Sequence, residues 1–498
     1  MATKDWFKDR GYPHFSNRTP LSVKKGCEIY VSNKSKVAKH SFLPLIFKEI
    51  KQRRYKKSVI KGIVRRSHKS EKNNKIVSNA KIREILYASH LDSHIFSYYS
   101  QKIITPEYEK ILEKNIKLSE SISGYRQIPT ADNLKFKNNV HFAKDVFDEV
   151  KKRGNCVVLA YDIENFFPTL NHRLLKLVWA RIIGFKSLPK DHYNIFKATT
   201  NFSYVKLNDL KTRKNHFDEK TLAKYKKLGK NTFFENIKEL VNSDITIYKN
   251  QHHKDGKLIG IPQGLPISAL LANIYMLPFD EAMIAQLTER SNIYYRRYSD
   301  DIIFICLENE VEKVEKLVKE EIKKIKLTIS FDKTEKTLFK LENDKLQSYK
   351  VQGSNLIKNI PLNYLGFEFY GNKILVKSKS LAGFYRRMKN TIKRRHNRVL
   401  NIKQDKLLDD VPIFKRKIYR LYSFKGTKNR KLPTKRITYK NQKIIIKETT
   451  KKYRGNYIKY IYRASDEMNS PEIKRQIRNH WKILQKTISK YDFSNVKK

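Results

Sequence analysis

Tyr298-Ser299-Asp300-Asp301 constrains this chain more than any other stretch. Two adjacent carboxylates stand between the apolar runs Ile293-Tyr294-Tyr295 and Ile302-Ile303-Phe304-Ile305. That pattern predicts two strands joined by a tight turn, with the acids at its tip. Adjacent charges beside buried strands are costly unless a cation or a partner neutralises them. Mg²⁺, a hard divalent ion that prefers oxygen ligands, would neutralise them and supports phosphoryl-transfer chemistry.

A chain of 498 residues has room for two to four structural units. Hydrophobic residues at 40% and aromatics at 12% suffice for packed cores, which excludes a disordered basic tail. The formal net charge is +57, with 106 Lys and Arg against 49 Asp and Glu. An excess of that size points to a polyanionic partner, most simply nucleic acid. A Lys-rich proteome would explain why Lys exceeds Arg, but not why acids are scarce. Cys27, Cys156 and Cys306 form no Cys-x-x-Cys pair, which argues against a disulfide framework and a zinc ribbon. Cys156 and Cys306 lie in apolar runs and read as core residues. No apolar stretch is long enough to span a membrane, and Met1-Ala2-Thr3-Lys4-Asp5-Trp6 is not a signal peptide. A soluble, cytoplasmic protein is expected.

Three regions follow along the chain. Residues 1–110 are basic and read as mostly helical, with the run Lys51-Gln52-Arg53-Arg54-Tyr55-Lys56-Lys57 and then Arg65-Arg66. Such runs are as often a solvated helix face as a phosphate-binding one. Residues 111–375 mix helices with short strands, which suggests a compact α+β unit. There Cys156-Val157-Val158-Leu159-Ala160-Tyr161 reads as a buried strand ending at Asp162, and Pro266 opens an apolar helix through Tyr275. A helix is expected from about Glu310 to Lys326, and the Lys-rich stretch 203–258 reads as an insertion. Residues 376–498 turn basic and helical again. Phe384-Tyr385-Arg386-Arg387 and Arg394-Arg395 interleave aromatics with cations, as on a surface that tracks a nucleic-acid backbone. The same pattern fits a helix with a buried stripe and a wet face. Ser470 to Tyr491 reads as one capped helix.

Further segments join the paired acids in a fixed order. Ala160-Tyr161-Asp162-Ile163-Glu164-Asn165-Phe166-Phe167-Pro168 comes first, then Gly260-Ile261-Pro262-Gln263-Gly264-Leu265-Pro266. The acidic hairpin and Asn363-Tyr364-Leu365-Gly366-Phe367 follow. This ordered set resembles the palm of reverse transcriptases of the group II intron, retron and bacterial defence type, over roughly residues 120–370. The resemblance implies a right-hand polymerase: basic fingers, a ferredoxin-like palm, and a helical thumb with a basic C-terminal extension.

The resemblance also assigns roles. Asp162, Asp300 and Asp301 become the catalytic acids, and with Ile163 the metal positions for two Mg²⁺ ions, for which Mn²⁺ is a possible substitute. An isolated strand-end Asp is more often a turn cap; the full set of motifs favours the metal role. Phe167, five residues after Asp162, takes the place of the gate beneath the sugar and would exclude a ribose 2′-OH, while Phe166 reads as core. RNA-copying RNA polymerases carry an acid near that position and a Gly before the paired Asp; this chain has Phe167 and Ser299. Gln263 would face the incoming nucleotide and Gly264 the template, on a loop that is also a turn into a helix. Lys333 resembles the lysine beside the leaving phosphate, with Lys336 as a second alignment. Arg126 and Lys137 fall where family fingers meet the triphosphate. Tyr298, Leu365 and Gly366, with Arg386, Arg387, Arg394 and Arg395, are the template and primer positions.

The chain lacks Asn-Ala-x-x-His and Val-Thr-Gly, two marks of retron enzymes. Lys137-Asn138-Asn139-Val140-His141-Phe142-Ala143 looks most like defence-associated and abortive-infection reverse transcriptases. The expected activity is RNA-templated DNA synthesis from dNTPs in antiphage defence. The expected partners are a structured non-coding RNA and a DNA product or primer, with further copies of the chain as an option. A group II intron-type maturase, an untemplated or protein-primed DNA polymerase, and a non-catalytic RNA-binding scaffold remain open.

Overall fold

In this computed structural model the described residues are 5–16, 18–60, 62–72, 75–212, 217, 221–222, 224–225, 228–229, 232–234, 237–330, 334–353, 355–406, 415–427, 434–440, 443–449 and 455–491. The chain divides into two compact units, one of residues 1–126, 160–304 and 310–334, the other of residues 127–159, 305–309 and 335–498.

The first unit departs from the helical expectation for residues 1–110. Helices Lys24–Ser32, Lys34–Ala38 and His90–Tyr98 are present, but the chain between them is extended. Leu45–Gln52 pairs antiparallel with Lys81–Tyr87, from Ile46↔Tyr87 to Gln52↔Lys81. It also runs parallel to Ser203–Lys206, which pairs with Tyr248–Lys249. Two further hairpins, Lys56–Ile60 with Ile63–Ser67 and Lys69–Lys72 with Lys75–Ser78, fill the connection. The reason lies in the side chains: Val59, Ile60, Ile63, Val64, Ile76 and Val77 are β-branched, which favours a pleated backbone over a helix. Asn79 ties the hairpins together, its Nδ2 donating to Ser58 Oγ at 2.7 Å and to the Lys69 carbonyl at 2.9 Å.

Elsewhere the chain follows its pattern. Cys156–Asp162 is a buried strand, as expected. Tyr294–Tyr298 and Asp301–Cys306 are strands joined by two residues, and Tyr295 stacks on Phe304 at 5.0 Å. Helix Ser268–Tyr275 is buried nearly all round. Helix Val311–Lys324 buries Val311, Val314, Val318 and Ile322, the spacing of one helical face.

The second unit holds the antiparallel strands Glu335–Glu342, Lys345–Gln352 and Asn355–Lys358. A second antiparallel set follows: Leu362–Tyr364, Phe367–Phe369 and Ile374–Val376. Helix Asn139–Arg153 starts with a capping box of Asn138 and His141. The long helix Ser378–Lys406 buries Met388 and Ile392 against Ile418, Leu484 and Ile488. Two expectations are corrected here. Thr434–Lys440 and Lys443–Thr449 form a hairpin inside the region read as helical. The segment 470–491 is two helices, Pro471–Arg475 and His480–Ser489, not one. Ser470 does not cap the first; its hydroxyl donates to the Ile374 carbonyl at 3.1 Å. Among the described residues no helix is long and apolar enough to cross a membrane, and all three cysteines are buried and free.

Candidate active site

The turn between Tyr298 and Asp301 has two residues, and Ser299 adopts a left-handed φ of 62°. That conformation is costly for a side chain and is kept only when the surroundings impose it. They do so from below. The Ile122–Gly124 segment runs beside the strand, with the Ser123 N–H donating to the Arg297 carbonyl at 2.9 Å. A Cβ on Gly124 would lie 2.5 Å from the Ser299 nitrogen, so only glycine permits that approach.

Asp162 ends its strand beside this turn. The Ile163 N–H donates to the Asp300 carbonyl at 3.4 Å, and the Asp162 carbonyl accepts from the Ser330 N–H at 2.8 Å. Asp162, at a strand end, and Asp300, in the turn, therefore lie next to each other. Burial pushes the Asp300 carboxyl above the ordinary carboxylate range, and the Asp162 charge pushes it further; Lys81 pulls the other way. A buried acid beside a second acid is relieved by a cation, so the donor set fits a hard divalent ion. Asp301 begins the strand that follows. Its charge bears on the phenol of Tyr298, which burial already raises. Among the described residues no three acids, histidines or cysteines come close enough to hold an ion.

The other predicted positions divide. Phe166 is core, as expected, and Phe167 is half-buried, their rings 5.7 Å apart. The Phe167 carbonyl accepts from the Ile261 N–H at 2.9 Å, which places the gate ring's backbone against the Pro-Gln-Gly segment. The Gln263 carbonyl accepts from the Leu86 N–H at 2.9 Å, and Gly264, at φ 124°, leaves no room for a Cβ beside the Leu86 carbonyl. Tyr298 is half-buried with Tyr125 at 6.3 Å. Arg126 is a correction. Its guanidinium donates to Glu109 at 2.9 Å and to the Ile122 carbonyl at 2.8 Å, and only 6% of the side chain is exposed. It braces the segment below the turn and is not poised to clamp a phosphate. Lys333 lies outside the described residues.

In the second unit Lys137 pairs with Asp145 at 2.9 Å. Leu365 and Gly366, at φ 43° and 94°, form a two-residue turn, and the Leu365 carbonyl accepts from Asn139 Nδ2 at 3.3 Å. Arg386, Arg387 and Arg394 are exposed on the face of their helix opposite Met388 and Ile392. Arg395 is half-buried near Arg398 and Lys417. Sequence reasoning missed Lys81. It sits on the strand that meets the Pro-Gln-Gly loop, but in sequence it is one cation among many.

Residues 202–369 match the family described as reverse transcriptase (RNA-dependent DNA polymerase). Within the chain, that stretch matches a reverse transcriptase domain. The matched stretch includes the Pro-Gln-Gly loop, the acidic turn and the Leu365-Gly366 turn; Asp162 and Phe167 lie upstream of it. Such domains have the right-hand α+β polymerase fold and are nucleotidyltransferases. No curated protein matches the chain. Solved structures similar to this chain include the apo telomerase from Candida tropicalis truncated from its C-terminal domain. It shares 12% identity at a TM-score of 0.36, over 72% of this chain and 61% of that one. Another is the telomerase from Candida albicans in complex with a fragment of telomeric RNA. Its identity is 12% and its TM-score 0.36, over 96% of this chain and 70% of that one. The chain spans less than two thirds of the first of these.

Proposed function

We propose that the protein is an RNA-directed DNA polymerase that uses Asp162 and Asp300 to hold Mg²⁺ and extends DNA from dNTPs. The observation that carries this is the juxtaposition of Asp162 with Asp300 at a strained turn inside a reverse transcriptase domain. Bound there, Mg²⁺ would supply a Lewis acid that lowers the pKa of a primer 3′-OH and balances charge on the leaving pyrophosphate. Asp162 and Asp300 provide the oxygens. Phe167 stands beside the Pro-Gln-Gly loop, where its ring would meet a 2′-OH and favour deoxynucleotides. Lys81 brings a cation toward Asp300, suited to a triphosphate.

A groove of about 600 Å³ over the first unit's four-stranded sheet supports a strand-binding role. Phe47 and Tyr204 line it together with Lys48, Lys51 and Lys206. Aromatic faces with ammonium groups suit successive bases of a single strand. We extend the proposal to a structured RNA held by the protein and to a role in antiphage defence. The formal charge of +57 supports the first, and the 137–143 segment's resemblance to defence-associated enzymes supports the second.

Asp300→Ala is expected to abolish nucleotide incorporation while leaving RNA binding intact, measured by primer extension and by filter binding on the same preparation. Unchanged incorporation would refute the assignment. Sequencing nucleic acid that copurifies with the active protein tests the RNA; activity that survives its complete removal would sink that part.

A further inference from the structure

Beneath the acidic turn lies an ion pair with no exposure at all. Arg297 Nε donates to Asp280 Oδ1 at 2.7 Å and Nη2 donates to Oδ2 at 2.6 Å. Tyr295 adds its hydroxyl to Asp280 Oδ1 at 2.5 Å. Burial opposes the charge on Arg297, and Asp280 more than offsets it, so the guanidinium stays protonated. Buried pairs of this kind are often replaceable by apolar side chains without loss of stability. Stability alone therefore does not account for one here.

The remaining nitrogen suggests what does. Arg297 Nη1 donates to the Ser299 carbonyl at 3.1 Å and to Asn273 Oδ1 at 3.2 Å. Asn273 in turn donates to the Gly124 carbonyl at 2.6 Å. The Ser299 carbonyl belongs to the peptide that leads into Asp300, and the next peptide's carbonyl accepts from the Ile163 N–H. Both peptide planes around Asp300 are thus held, one by Arg297 and one by the strand that carries Asp162. A planar guanidinium gripped bidentately has no freedom left to swing, so it transmits a fixed direction to the turn.

We propose that Arg297, oriented by Asp280, is a positioning residue whose hydrogen bond to the Ser299 carbonyl aims the Asp300 carboxylate at the ion shared with Asp162. This rests on the reading of Asp162 and Asp300 as metal ligands. Lysine at 297 keeps the charge but cannot reach Asp280 twice and Ser299 at once. The paired change Asp280→Leu with Arg297→Met removes the ion pair and the grip while leaving an apolar core.

The test is Mn²⁺ binding to the full-length protein, followed by electron paramagnetic resonance without nucleotide, with thermal unfolding of every variant. Asp300→Asn serves as reference and should weaken Mn²⁺ binding. Arg297→Lys should weaken it about tenfold, the size of one hydrogen bond to a charged group. It should lower kcat for incorporation and leave KM for the dNTP within about twofold. Tyr295→Phe loosens Asp280 without touching the turn; its melting temperature should fall while Mn²⁺ affinity holds. Should Arg297→Lys fail to fold, the paired variant is read in its place. Wild-type Mn²⁺ affinity in a folded Arg297→Lys or paired variant, with Asp300→Asn weakened, overturns the positioning role. Wild-type affinity in Asp300→Asn overturns the metal reading beneath it.

Discussion

At the scale of single residues, the chemistry was legible where local pattern and motif coincide. Asp162 ends an apolar run, the paired acids sit between two more, and Phe167 follows at fixed spacing. The strand end and the hairpin came out as read. Arg126 was not legible, because its partner Glu109 lies on a neighbouring helix and nothing in a linear pattern says which cation an acid will hold. The same limit hid Arg297, whose partner Asp280 is seventeen positions away. Phe167 carries the residue-scale prediction. Phe167→Val removes the ring from the sugar's side, so ribonucleotide incorporation relative to deoxynucleotide should rise by about ten- to a hundredfold. Paired single-nucleotide extension assays measure the ratio. An unchanged ratio would return Phe167 to a packing role beside Phe166.

At the scale of elements, type and length were readable where one face repeats cleanly, as in helix Val311–Lys324. They were misread where charge masked β-branching, as between residues 45 and 87. The strand Lys81–Tyr87 matters to the site because its Leu86 meets the Pro-Gln-Gly loop. Gly264→Ala forces a Cβ to 2.5 Å from the Leu86 carbonyl at a φ of 124°. Destabilisation of about 1–3 kcal/mol is expected, with lost extension activity, read by urea unfolding and primer extension. The first unit's helix His90–Tyr98 carries a second prediction. Burial holds the His94 imidazole down to about 4, and that of His14 down to about 3. Both stay neutral when folded, yet take a proton near the ordinary value of about 6.5 when unfolded. A folded pKa below the unfolded one contributes stability that is complete above about pH 6.5 and is lost as pH falls toward 4. Each histidine then costs up to about 1.4 kcal/mol per pH unit in that window. His94→Phe keeps an aromatic ring for Phe7, which stacks on His94 at 4.3 Å, and removes one titration. Urea midpoints from pH 7 to 4.5 should fall less steeply in that variant; parallel slopes would acquit the histidines.

At the scale of the whole molecule, the opposition is between a small acidic centre and a basic remainder. The chain carries 106 Lys and Arg against 49 Asp and Glu. Some of these cations crowd one another. Burial lowers the Lys417 ammonium, and Arg395, Arg420 and Arg398 lower it further; Arg395 is lowered by burial and then by Arg398. Clustered like charges raise the energy of the unbound protein, and a phosphate among them removes that repulsion. Such a cluster gains from a polyanion more than scattered surface lysines do. Counterion release makes the gain measurable, because each phosphate neutralised on a duplex adds about 0.9 to the slope of log affinity against log salt. Replacing Arg395, Arg398 and Arg420 together with Gln should therefore lower the salt slope for structured RNA by about 2.7, three contacts at about 0.9 each. Incorporation on a short primer-template at low salt should change far less than RNA affinity. Filter binding between 50 and 300 mM KCl, about the range over which such slopes are resolved, reads the difference. A slope equal to wild type would mean that these arginines are solvated and that the RNA is held by other cations.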